Sequence, residues 1–125
     1  MPIISVTTLF RPIGPKELQL IADLDYRKFP PCLPEQPIFY TICNEEYAIE
    51  IAKDWNAKND GAGYVTQFAI KTAFLNDYER QLVGAEHHVE YWTPADKLED
   101  FNNSLIGKIK VIHTYERSNE NTSAN

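Results

Sequence analysis

Glu86-His87-His88-Val89-Glu90-Tyr91-Trp92 is the densest run of chemically capable side chains in the sequence. As a strand, its alternation places His88, Glu90 and Trp92 on one face and His87, Val89 and Tyr91 on the other. His88 and Glu90 then stand about 7 Å apart along that face. They are also the pair that a metal reading would recruit. A metal centre asks for more: His88 and Glu90 give two ligands from one strand, adjacent histidines diverge, and His113 is the sole further histidine. No metal is therefore expected. No Ser or Cys sits in a nucleophile elbow or beside a histidine, and Gly61-Ala62-Gly63 does not make a phosphate-binding fingerprint.

Arg11 follows Leu9-Phe10 at the end of the first expected strand. Its planar cation can grip a phosphate or carboxylate through two parallel hydrogen bonds, or serve only as a solvated strand end. Tyr40-Thr41 stands just before the helix start at Asn44, where backbone amides and an aromatic face can hold a nucleotide. The alternative is a core tyrosine beside a turn threonine. Tyr47 and Trp55 recur at helical spacing and suit a core face. Tyr47 and Trp92 also join Arg11, Tyr40 and Thr41 as candidate cofactor contacts.

The elements that must position these groups follow from periodicity and punctuation. Ile3 to Arg11 is a strand signal, stopped by Pro12-Ile13-Gly14-Pro15, after which Pro15 suits the first turn of a helix with Leu18, Ile21 and Leu24 on one face. The segment from Phe29 to Pro37 holds four prolines, which stiffen a loop before the short strand Ile38 to Thr41. Asn44 is the expected N-cap of a second helix, with Glu45 and Glu46 complementing its dipole and Tyr47, Ala48, Ile51, Ala52 and Trp55 on its inner face. Tyr64 to Ile70 alternates as a strand. A turn at Thr72 to Asp77 and a strand at Tyr78 to Val83 follow, then a strand from His87 to Trp92. Thr93-Pro94-Ala95-Asp96 opens a helix with Leu98 and Phe101 inward, and Gly107 to Tyr115 is the last strand. This order gives an α+β domain over residues 1–117 of mixed or antiparallel strands, with a polar tail at 118–125.

At 125 residues the chain is one domain, and 43% hydrophobic residues with 12% aromatic suffice for its core. Twelve Lys and Arg against eighteen Asp and Glu leave a net charge of -6, which opposes non-specific attraction to nucleic acid or anionic membrane. Cys32 and Cys43 lack metal-ligand spacing, and neither a signal peptide pattern nor an 18-residue apolar run is present. A cytoplasmic protein without membrane partners is the expectation.

The segments TTLFRPIGPKELQLI, LPEQPIFYTICNEEYAIEIAKDW, GYVTQFAI and HHVEYWTPADKLEDFN, followed by IGKIKVI, resemble a family of short bacterial proteins labelled ADP-ribosylation/crystallin J1. The strands expected here fit the transferase half of that label rather than the all-helical hydrolases. The resemblance implies an ADP-ribosyltransferase-like fold and NAD as substrate, with an unknown acceptor or hydrolysis when none is present. Arg11 would neutralise the diphosphate, Tyr40 would stack on nicotinamide beside Thr41, Glu90 would be the catalytic acid and His88 would face the acceptor. Tyr40-Thr41-Ile42 stands where such enzymes carry Ser-Thr-Ser. Arg11 and Glu90 would then share one cleft, with Pro30 to Pro37 on its rim. Two alternatives remain: a non-catalytic nucleotide- or protein-binding module, and a metal-dependent hydrolase using His88 and Glu90.

Overall fold

β-Branched and aromatic residues drive the strands, and their alternation gives the sheet two covered faces. In a computed structural model, residues 5–31, 35–84 and 87–116 are described. Val6–Ile13 forms β1 and Pro15–Asp23 forms α1, with Pro15 at its start. Ile38–Ile42 is β2, and Glu45–Ile51 is α2. Ala52–Asn56 is a π turn that runs into Ala57–Asp60, α3. Ala62–Lys71 is β3, Thr72–Leu75 is α4 and Arg80–Leu82 is β4. Val89–Pro94 is β5, a 3-10 turn at Ala95–Lys97 leads into Leu98–Asn103, α5, and Leu105–Glu116 is β6.

The strands lie in the order β4-β5-β2-β1-β3-β6, and every pairing is antiparallel. The architecture is α+β. Phe29, Phe39, Phe68 and Phe101 pack edge-on or tilted on one face, with Leu9, Ile21 and Leu98 around them. Asn102 clamps the main chain of Phe29 from both sides, donating to its carbonyl and accepting from its amide. That holds the start of the Pro-rich loop on the core. The opposite face is smaller: Phe10, Ile42 and Val65 meet Ala48 and Ala52.

The helix after β2 begins as its sequence requires, the Asn44 side chain accepting from the Tyr47 amide at 3.0 Å. Its far end departs from expectation. An α-helix would bring Trp55 inward behind Ala48 and Ala52, but the Ala57 amide reaches back five residues to the Ala52 carbonyl. The extra residue in that turn rotates Trp55 outward, 57% exposed, and brings Asn56 in at 7%. The buried row is Ala48, Ala52, Asn56 and Ala57, small enough for close approach to β3. Gly63 makes the contact: a Cβ there would stand 2.1 Å from the Ala52 carbonyl oxygen. Other boundaries shift less. β1 continues through Pro12, Leu24 lies beyond the end of α1 and is exposed, and β5 starts two residues after His87. Met1 to Ile4, Cys32 to Pro34, Ala85, Glu86 and the polar tail lie outside the described residues.

Gly63→Ala must push backbone from backbone, and overpacking of this kind costs about 1–3 kcal/mol. Urea unfolding of the variant should show a lower midpoint at an unchanged slope. A midpoint equal to wild type would mean that the helix does not need its close seat on β3.

Candidate functional site

β1 and β2 are joined at one register pair, Phe10 with Ile42, beyond which the strands part. Arg11 fills the parting. Its Nη1 donates to the Tyr40 carbonyl at 2.7 Å, and Nε and Nη2 donate to the two oxygens of Glu17 on α1 at 2.7 and 3.0 Å. The guanidinium also lies over the Phe39 ring, 4.3 Å from its centroid. Arg11 is therefore neither a solvated strand end nor an unoccupied anion receptor. A phosphate would have to share it with Glu17.

Glu90 pairs across from Ile42 in the sheet and is buried, with 9% exposed. Trp92 Nε1 donates to one of its oxygens at 2.8 Å and the Tyr47 hydroxyl to the other at 2.6 Å. Two neutral donors satisfy the buried carboxylate, with no counter-cation bonded to it among the described residues. Burial and the hydrogen bond to Glu90 push the Tyr47 phenol well above its ordinary range, because ionisation would place two anions together. Tyr40 meets Trp92 edge to face at 5.8 Å and is 44% exposed. Tyr40, Tyr47, Glu90 and Trp92 thus gather on the face covered by α2.

Two expected contacts are elsewhere. Thr41 is completely buried on the opposite face, where its hydroxyl reaches the Tyr91 carbonyl at 3.5 Å, so it offers nothing to a ligand. Arg11 and Glu90 both touch a 290 Å³ cavity with Pro12, Tyr40, Ile42 and Ile51. Alternation nevertheless sends their charged ends apart. The guanidinium lies with Glu17 and Phe39 on the α1 face, and the carboxylate lies with Tyr47 on the α2 face. Spacing along one strand could not reveal this, because relative face depends on the register between strands.

A larger cavity of 660 Å³ opens where β1 turns through Gly14 into α1. Arg11, Lys16, Leu20, Phe39, Trp55 and Asn56 are among its walls, and Pro30, Pro31 and Gln36 bring the Pro-rich loop to it. Asn56 donates from Nδ2 to Asp60 at 3.1 Å, whereas its buried Oδ1 accepts from no group among the described residues. Such an orphan acceptor costs stability unless a donor reaches it. Sequence reasoning missed Asn56 and assigned Trp55 to the core, because an α-helical period was carried through the π turn. The run Asn-Ala-Lys-Asn-Asp-Gly after Trp55 signalled only a helix end.

His87 and His88 precede β5 instead of lying on it, so strand alternation does not separate them. Both turn to Glu50 on α2. His87 Nε2 is 2.6 Å from one carboxylate oxygen and His88 Nε2 is 3.0 Å from the other. The two imidazoles hold Glu50 below the usual carboxylate range, and the hydrogen bond to Glu50 raises His87. His88 stacks on Tyr47, with centroids 4.3 Å apart, and is linked to Glu90 through that ring. His113 stands apart, 2.6 Å from Glu45. Cys43 is a half-buried free thiol whose pKa burial pushes up. Among the described residues no helix is long and apolar enough to cross a membrane.

Comparison with protein families, characterised proteins and solved structures gave no match to the chain.

The Tyr47 to Glu90 bond has a signed pH consequence. A phenol raised in the folded state contributes stability that is complete below the unfolded value of about 10 and declines as pH rises toward the higher folded value. Tyr47→Phe should cost about 1–3 kcal/mol at pH 7 by depriving Glu90 of a donor. Its deficit relative to wild type should narrow above pH 10. Urea titrations at pH 7 and pH 10.5 test both, and a deficit that widens with pH would rule out the hydrogen bond as its source.

Proposed function

We propose that this protein is a binding domain for a nucleotide-class ligand, with NAD as the first candidate, and that it holds the ligand without cleaving it. The observation that carries this reading is the 660 Å³ cavity itself, in whose walls the cations of Arg11 and Lys16 stand with the exposed Trp55 ring. That volume falls in the range of roughly 300–1,000 Å³ common to small-molecule sites. Phe39 and Trp55 among the cavity walls suit the flat ring of adenine or nicotinamide. Trp55, exposed by the π turn, gives a stacking face beside it. Lys16 and the shared cation of Arg11 stand on the same cavity to meet a phosphate.

Binding is favoured over transfer by the placement of the charges. Breaking the bond between nicotinamide and ribose builds positive charge on the sugar, which a carboxylate must face while the diphosphate is held nearby. Glu90 has both oxygens engaged by Tyr47 and Trp92, and its carboxylate lies across the sheet from the Arg11 guanidinium. The transferase resemblance therefore enters this proposal as a ligand class and not as a reaction.

Calorimetry with NAD, AMP and adenosine, alongside chromatographic assay of nicotinamide release, is the direct test. Saturable binding without release is expected. Trp55→Ala should weaken binding at least about tenfold, a loss of about 1.4 kcal/mol of stacking, and, because the ring is exposed, leave the unfolding midpoint unchanged. Binding of none of the three compounds would end the nucleotide reading. Nicotinamide release that Glu90→Gln abolishes would restore the transferase instead.

A further inference from the structure

Glu50, His87 and His88 form a cluster independent of the ligand cavity, sharing no residue with its walls. Each offers one metal-ligand atom, and these atoms all lie within 4.8 Å of one another. We propose that Glu50, His87 and His88 bind one divalent transition ion of the zinc class through two imidazole nitrogens and one carboxylate oxygen.

Three features of the geometry support it. First, both histidines direct Nε2 at one carboxylate, with N to O distances of 2.6 and 3.0 Å. Ligands on a tetrahedral zinc at 2.0–2.1 Å are separated by about 3.3 Å, so small side-chain adjustments admit an ion in place of the bridging protons. Second, the imidazole rings lie 4.3 Å apart. At that separation one ion can be shared by both imidazoles. Third, His88 is held for the task. Tyr47 stacks on its ring, the Val83 amide donates to its carbonyl at 2.9 Å, and Gly84 leaves room beside Nδ1, where a Cβ would come within 2.5 Å. Supports of this kind orient a metal-bound imidazole.

The donor set of two His and one Glu leaves a fourth position for water or a substrate atom. Side-chain exposures of 29%, 25% and 39% for His87, His88 and Glu50 leave that position open to solvent. Oxygen and nitrogen donors without thiolate suit Zn²⁺, Co²⁺ or Ni²⁺. The cluster joins α2 to the β4–β5 hairpin, so an ion would tie the hairpin to the helix.

The test is equilibrium dialysis of untagged protein against Zn²⁺ near pH 7.5, with Co²⁺ absorption as a reporter of coordination. One saturable Zn²⁺ per chain is expected, with a rise in Tm and visible bands of low-symmetry Co²⁺. Glu50→Gln, His87→Ala and His88→Ala should each weaken binding by tenfold or more and remove the Co²⁺ bands, while circular dichroism confirms that the variants fold. His113→Ala should bind as wild type does. Absence of saturable Zn²⁺ binding overturns the proposal. So does binding that survives all three ligand substitutions, or that depends on Cys43→Ser or His113→Ala instead.

Discussion

Arg11 holds the two halves of this protein together. β1 lies between β2 and β3, yet pairs with β2 at a single register position, so the ladder alone leaves the centre of the sheet weakly joined. The Arg11 side chain supplies a charge-assisted bond to the Tyr40 carbonyl across that parting and binds α1 through both oxygens of Glu17. It also covers Phe39, a member of the main aromatic core. Sheet, helix and core therefore meet at one cation, and both cavities open beside it.

The second constraint is the seat of the helix after β2 on β3. Alanines on the helix and Gly63 on the strand allow backbones to meet, and the π turn lets the chain keep small residues on that seat for one turn longer. The consequence is an exchange of roles between neighbours. Trp55 goes to the surface and Asn56 goes inside, where its carbonyl oxygen has no donor among the described residues. A packing solution thereby leaves a polar, aromatic-edged cavity, and that is where the ligand reading rests.

Glu90 illustrates how a carboxylate in a sheet can be structural. Two neutral donors from different elements, Tyr47 on α2 and Trp92 on β5, account for both oxygens. Tyr47 then passes the connection to His88 by ring stacking, and His88 with His87 meets Glu50 one turn further along α2. Alternation placed His88 on the face of Glu90, and the structure links the two through the Tyr47 ring. The intended partner of the histidines is a glutamate from another element.

Local signals were legible wherever a property depends on near neighbours in the chain. The Asn44 cap, Pro15 at the start of α1, the inward Leu98 and Phe101, and the alternation of β3 all follow from spacing and backbone chemistry. These residues alone determined an α+β chain and the starts of the helices at Pro15 and after Asn44. Tertiary structure decided the face shared by Arg11 and Glu17, the burial of Thr41, the π turn that inverts Trp55 and Asn56, and the convergence of two adjacent histidines on Glu50. The physical reason is common to all four. Strand register, the separation of backbones and the direction of a loop side chain are set by what packs against them from distant sequence, and no local period encodes that neighbour.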